Sequence, residues 1–122
     1  MSAFPSTVLT TEFFALITAD DPHVALYISN PGPDNTGTEV TGGTYARQSA
    51  SFGAITAGAI TNDTLLTFNG MPTSNATHWG IFNASSGGDL KAFGVLTTPI
   101  SSESGDNATI DEGQIVLTFT GS

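Results

Sequence analysis

The stretch that decides the fold is His78-Trp79-Gly80-Ile81-Phe82-Asn83, followed by the turn residues Ser85-Ser86-Gly87-Gly88 and the run Leu90-Lys91-Ala92-Phe93-Gly94-Val95-Leu96. In the first run Trp79, Ile81 and Asn83 alternate against His78, Gly80 and Phe82, the two-residue period of a strand. Aromatic residues fall on both faces, which predicts a central strand covered on both sides. In the second run Leu90, Ala92, Gly94 and Leu96 oppose Lys91, Phe93 and Val95. Two alternating runs joined by a Ser/Gly turn make an antiparallel hairpin. Thr97-Thr98-Pro99 closes it.

Shorter runs of the same kind lie on either side. His23 to Ser29 places Val24, Leu26 and Ile28 on one face and His23, Ala25 and Tyr27 on the other. Thr44 to Phe52 reads as a strand after the Gly42-Gly43 pair, and Thr64 to Phe68 as a short one ended by Asn69-Gly70-Met71-Pro72. Gly53 to Gly58 reads as an irregular connection, and Ser101 to Asp106 as a polar loop. Ala108 to Ile110 and Gln114 to Phe119 close the chain around the turn Asp111-Glu112-Gly113, with Ile115, Leu117 and Phe119 pointing inward. Asn30 to Gly37 is the densest cluster of breakers and predicts an exposed loop able to serve as a contact arm. The fold class is therefore all-β: an antiparallel sandwich or barrel of about six to eight short strands. At 122 residues it is one domain, with residues 1–22 as an N-terminal helix or extended arm and residues 23–122 as the β domain. Val8, Leu9, Phe13, Leu16 and Ile17 have helical spacing, but the threonines and the adjacent Phe13 and Phe14 weigh against a helix, so both forms stay open.

Composition narrows the function. A net charge of −9 repels phosphate backbones and anionic lipid, so neither nucleic acid nor membrane is expected as a partner. The absence of cysteine rules out disulfides and cysteine-ligated zinc. No basic and apolar leader opens the chain, which suggests synthesis in a host cytoplasm without export. The four Asn-x-Ser/Thr triplets, at Asn62, Asn75, Asn83 and Asn107, then read as by-products of Asn- and Thr-rich turns. Hydrolytic chemistry needs a nucleophile, a base and an orienting group. The only imidazoles, His23 and His78, lie in apolar strands, and the close acid pairs Asp20-Asp21 and Asp111-Glu112 lie in turns. Glu103, Asp106 and Asp111 lack the spacing of a calcium loop. The chain is read as a non-enzyme with no cofactor and no metal.

One segment concentrates specific chemistry: Glu39-Val40-Thr41-Gly42-Gly43-Thr44-Tyr45-Ala46-Arg47-Gln48. Arg47 is the only arginine, and a lone guanidinium in an acidic chain calls for a carboxylate partner. Glu39 can supply it across the glycine turn, fixing that turn from within; an acid of another subunit can supply it instead, making Arg47 a bridge. Strand geometry puts Tyr45 and Arg47 on one side, where the two can stack.

This segment, with its E-x-x-G-G-x-Y-A-R-Q pattern, resembles small structural β proteins of tailed-bacteriophage virions. Val24-Ala25-Leu26-Tyr27, His78 to Ala84, Leu90 to Thr97 and Gly105-Asp106 through Leu117 resemble the same group's motifs in order, over about residues 24 to 119. The Ser2 to Ile17 segment and the Pro31 to Gly37 loop depart from it, and partner choice is assigned there. The resemblance implies a structural virion protein and leaves head or tail open; small size, a Thr/Ser/Gly-rich β domain and the lack of catalytic groups make the first expectation a capsid decoration (cement) protein on the outer head, a homo-oligomer with a trimer favoured, bridging copies of the major capsid protein. A tail, fibre or receptor-binding module is the alternative, with Tyr27 and Trp79 as its candidate glycan contacts. The interaction residues to examine are Glu39, Tyr45, Arg47, Gln48, Pro31, Asp34, Phe13 and Phe14.

Overall fold

The structure is a computed structural model that describes residue 15 and residues 22–32, 34–54 and 59–118. Its regular elements are eight strands: β1 (His23–Tyr27), β2 (Gln48–Ser49), β3 (Ala59–Thr61), β4 (Leu66–Met71), β5 (Ser74–Phe82), β6 (Leu90–Ser102), β7 (Asp106–Ile110) and β8 (Val116–Thr118). The N-terminal helix or arm, with Phe13 and Phe14, lies outside the described residues apart from Ala15, and Phe119 lies outside them as well.

All pairings are antiparallel. β2-β1-β5-β6 form a four-stranded sheet, while β3-β8 and β4-β7 form two ribbons. The sheet contributes Val24, Leu26, Ala76, Trp79, Ile81 and Leu96 to one core, and the ribbons contribute Ile60, Leu66, Phe68, Met71, Ala108, Ile110 and Leu117 from the other side. This is a β-sandwich whose second layer is divided into two ribbons.

β5 occupies the central position that its two-faced sequence predicts. It pairs with β1 from His23↔Phe82 to Tyr27↔His78, and with β6 on its other side. Trp79 and Ile81 enter the main core, whereas Phe82 joins Ala25, Tyr27 and Leu90 in a smaller cluster on the opposite face. Two glycines allow these aromatics in. A Cβ on Gly94 would stand 2.6 Å from Trp79 Cζ2, and one on Gly80 would stand 3.1 Å from Tyr27 Cε1. Side-chain-free positions here are places where a neighbouring ring lies against the backbone.

Several strand boundaries differ from the sequence reading, each for a physical reason. β6 does not stop at Pro99. It continues to Ser102 because the register slips between Ala76↔Ile100 and His78↔Val95, looping the Thr97–Pro99 region out of the ladder where a missing N–H costs nothing. A second slip between Ile81↔Ala92 and Phe82↔Leu90 turns Leu90 onto the face opposite Ala92, against strict alternation. The Thr44–Phe52 strand shrinks to β2 plus an isolated bridge between Phe52 and Asn62. β3, absent from the sequence reading, pairs Ala59–Thr61 with β8. The Asn30–Gly37 loop folds back on itself through Thr36 N–H to Pro31 O at 2.7 Å, and Pro31 is buried rather than exposed.

Candidate functional site

The edge of β1 explains why the Glu39–Gln48 segment is built as it is. Its first residues, His23 and Val24, pair with β2. Its last residues pair with 38–40, through Val40 N–H to Leu26 O and Ile28 N–H to Thr38 O, both 2.9 Å. Between these contacts residues 41–47 bulge away, and the Leu26 N–H would have no strand partner. The Tyr45 hydroxyl accepts it at 2.9 Å. A side chain completes the ladder where the backbone departs, as the rule that buried amides be paired demands.

Tyr45 in turn donates to Glu39 Oε2 at 2.8 Å. Arg47 donates Nε–H to Glu39 Oε2 and an Nη2–H to Oε1, both at 3.0 Å, a two-pronged ion pair. Its Nη1 donates to Gly87 O at 2.7 Å and Ala84 O at 3.2 Å, and its Cζ lies 3.6 Å from the Phe82 ring centroid. One guanidinium thus ties the β1 edge to the β5–β6 turn and caps the smaller apolar cluster. Burial pushes the Tyr45 phenol well above its ordinary 10.0, and the adjacent Glu39 carboxylate adds to the shift. Burial opposes the charge of Arg47, but its bonds to Glu39 outweigh that and hold its pKa above the ordinary value.

The glycine pair makes the excursion possible. Gly42 and Gly43 have φ of 116° and 57°, and Thr44 then anchors the loop to the end of β4 through its N–H to Gly70 O at 2.9 Å. Gln48 sits in β2 and donates its side-chain amide to Ala46 O at 3.0 Å. A groove of about 490 Å³ lies over the assembly, between Glu39–Arg47 and Ser85–Gly87.

The structure therefore brings Glu39, Tyr45 and Arg47 together and pairs Arg47 within its own chain, while the Gln48 amide bonds Ala46 O instead. Tyr45 and Arg47 do not stack on each other. Tyr45 stacks on Phe68, with centroids 6.0 Å apart, and the two meet only through Glu39. Of the loop candidates, Asp34 is exposed and Pro31 is buried, so Pro31 is not available to a partner. Asn35, in the left-handed conformation at φ 54°, accepts a 2.6 Å bond from the Tyr27 hydroxyl and holds the loop down. Tyr27 and Trp79, at 1% and 4% exposure, are core residues and offer no platform to a glycan.

His23 and His78 stand at opposite ends of the β1–β5 ladder, with His78 Nδ1 2.8 Å from Thr77 Oγ1. Among the described residues no three His, Asp or Glu gather as metal ligands. Asp106 instead accepts the Glu103 N–H at 2.9 Å and closes a turn.

Sequence reasoning missed two residues. Phe82 was placed correctly on its strand, but nothing local marks it as the platform for Arg47. Asn62 is 1% exposed: its Nδ2 donates to Thr64 O and Asp111 O and its Oδ1 accepts the Ile115 N–H, all near 3 Å. An Asn-Asp-Thr stretch reads as a surface turn, and nothing local marks it as buried. That burial also closes the Asn62 side chain to glycosylation.

The described residues form a β-sandwich whose edge excursion is held by the Glu39–Tyr45–Arg47 clamp. The family described as podophage GP4 fiber I protein gp80 matches residues 6–118, and the chain belongs to that family. It is a bacteriophage virion structural protein. The match runs through both segments that set the chain apart in its sequence, the 31–37 loop and most of the N-terminal stretch. No curated protein sequence matches the chain.

Proposed function

We propose that this protein is a non-enzymatic component of the virion's tail fibre rather than a head decoration protein. The carrying observation is the family match over residues 6–118, whose description names a fibre protein. The geometry agrees with a structural role. The polar groups that might have formed a reactive centre are consumed in holding loops to the sheet: Glu39, Tyr45 and Arg47 bind one another, the Leu26 amide and the 84–87 turn. Capsid cement, the first expectation from the sequence, has no such support, and neither does the major capsid protein as partner.

The two roles differ in what the particle loses. Virions assembled without the protein should keep their DNA on heating as well as wild type does, while their adsorption to host cells falls. Early DNA release from the heads, with adsorption intact, would restore the cement reading.

A further inference from the structure

We propose that Asn69 is a modification site, where the Gly70 amide closes on the Asn69 side chain and turns it into isoaspartate, releasing Thr44 from β4. Asparagine is chemically labile, and most so where the next residue leaves its own nitrogen uncovered. The chain has seven asparagines, and only Asn69 is followed by glycine. Elsewhere a following Cβ shields the nitrogen, and Pro31 after Asn30 has no N–H to lose. The side chains divide the same way. Those of Asn30, Asn35, Asn62, Asn75, Asn83 and Asn107 each hold their carbonyl oxygen in a hydrogen bond of 2.6 to 3.4 Å. Asn69 is exposed, and among the described residues no partner holds its side-chain amide. Asn69 and Gly70 stand together opposite Asn107, between the pairs Phe68↔Ala108 and Met71↔Asp106, and so form a bulge. The Gly70 N–H reaches Asn107 Oδ1 at 3.4 Å, a long bond that leaves the nitrogen loosely held. Gly70 has φ of 63°, and a Cβ there would collide with Thr44 Oγ1, so the fold itself requires the glycine that exposes Asn69.

The chemistry needs only water. Gly70 N bonds to Asn69 Cγ, the Cγ–Nδ2 bond breaks, and ammonia leaves with the Gly70 proton. Water then opens the cyclic imide at either carbonyl, giving aspartate or isoaspartate. In isoaspartate the main chain runs through Cγ and is one atom longer, and the former Asn69 carbonyl becomes part of a free carboxylate. That carbonyl accepts the Thr44 hydroxyl at 3.1 Å, beside the bond from Thr44 N–H to Gly70 O at 2.9 Å. The two bonds anchor the excursion that carries the Tyr45 hydroxyl to the Leu26 amide. Conversion at Asn69 thus loosens the clamp from outside it, and adds a negative charge to a chain whose net charge is −9.

The test uses the full chain and does not depend on where the protein sits in the virion. Incubated in mildly alkaline buffer, each copy should gain one mass unit and one negative charge. Peptide mapping should place the change at Asn69, several-fold faster than at any other asparagine, and an isoaspartyl methyltransferase should label it there. Asn69→Gln, which closes a larger ring more slowly, should stay unlabelled with an unchanged far-ultraviolet dichroism spectrum. The isoaspartyl form, separated by anion exchange, should show faster hydrogen exchange at the Thr44 and Leu26 amides than fresh protein. Asn69→Asp carries the charge without the longer chain, and should exchange both amides as wild type does. Conversion spread evenly over the asparagines, or an isoaspartyl form whose Thr44 and Leu26 amides stay protected, would overturn the proposal.

Discussion

Arg47 lies 3.6 Å from the centre of the Phe82 ring while gripping Glu39 with two hydrogen bonds. The turn after β5 and the excursion between residues 39 and 48 are therefore held by one cation. Arg47→Ala would leave the half-buried Glu39 unpaired and free the Ala84 and Gly87 carbonyls, a loss of about 2–3 kcal/mol. Arg47→Lys keeps the charge but not the fork, and should cost about 1–2 kcal/mol. Urea denaturation of the two variants should rank them in that order below wild type.

Trp79 is the only tryptophan, and its ring lies over Gly94. Gly94→Ala should therefore overpack the core by about 1–3 kcal/mol and shift the tryptophan emission at the same time. An unchanged spectrum with unchanged stability would mean that the ring is not packed on β6.

The hairpin of β5 and β6 was legible because its alternation is local, whereas for Arg47 only the need of a carboxylate was legible, with Glu39 and an acid of another subunit both open until the excursion of residues 41–47 set Glu39 against it. What escaped was set across the sheet. Tyr45 and Arg47 have the spacing of a strand, yet the Tyr45 hydroxyl, not the backbone, meets β1, so residues 44–47 lie outside the ladder. Pro99 reads as a stop because local rules cannot foresee the register slip that carries β6 past it. β3 is three residues long, and its strand character comes from pairing with β8 some 55 residues later.

Asn62 joins the entry to β4 with the 111–115 turn. Asn62→Ala would orphan Thr64 O and the Ile115 amide and leave Asp111 O with only its bond from the Gln114 N–H, a loss of about 2–3 kcal/mol. Hydrogen exchange should rise first at Ile115 and in β8; uniform change across the sandwich would contradict a local role.

Tyr45 and Tyr27 both have pKa values raised by burial above the ordinary 10.0. A raised folded-state pKa means that the associated stability is fully present below the unfolded value and is lost as pH rises beyond it. Stability should thus be insensitive to tyrosine ionisation up to about pH 9 and fall above pH 10, as unfolded chains release protons that the folded chain retains. Tyr45→Phe should flatten that decline while lowering stability at neutral pH, because the Leu26 amide loses its acceptor. Chemical denaturation from pH 7 to 11 measures both.

A tail-fibre component has a definite place in the particle. Cryo-electron microscopy of the intact virion, with the eight-stranded sandwich fitted to the map, examines it directly. The account predicts density for the domain on the tail fibres and none on the head lattice. Copies arrayed over the capsid, with the fibres explained by other chains, would contradict it.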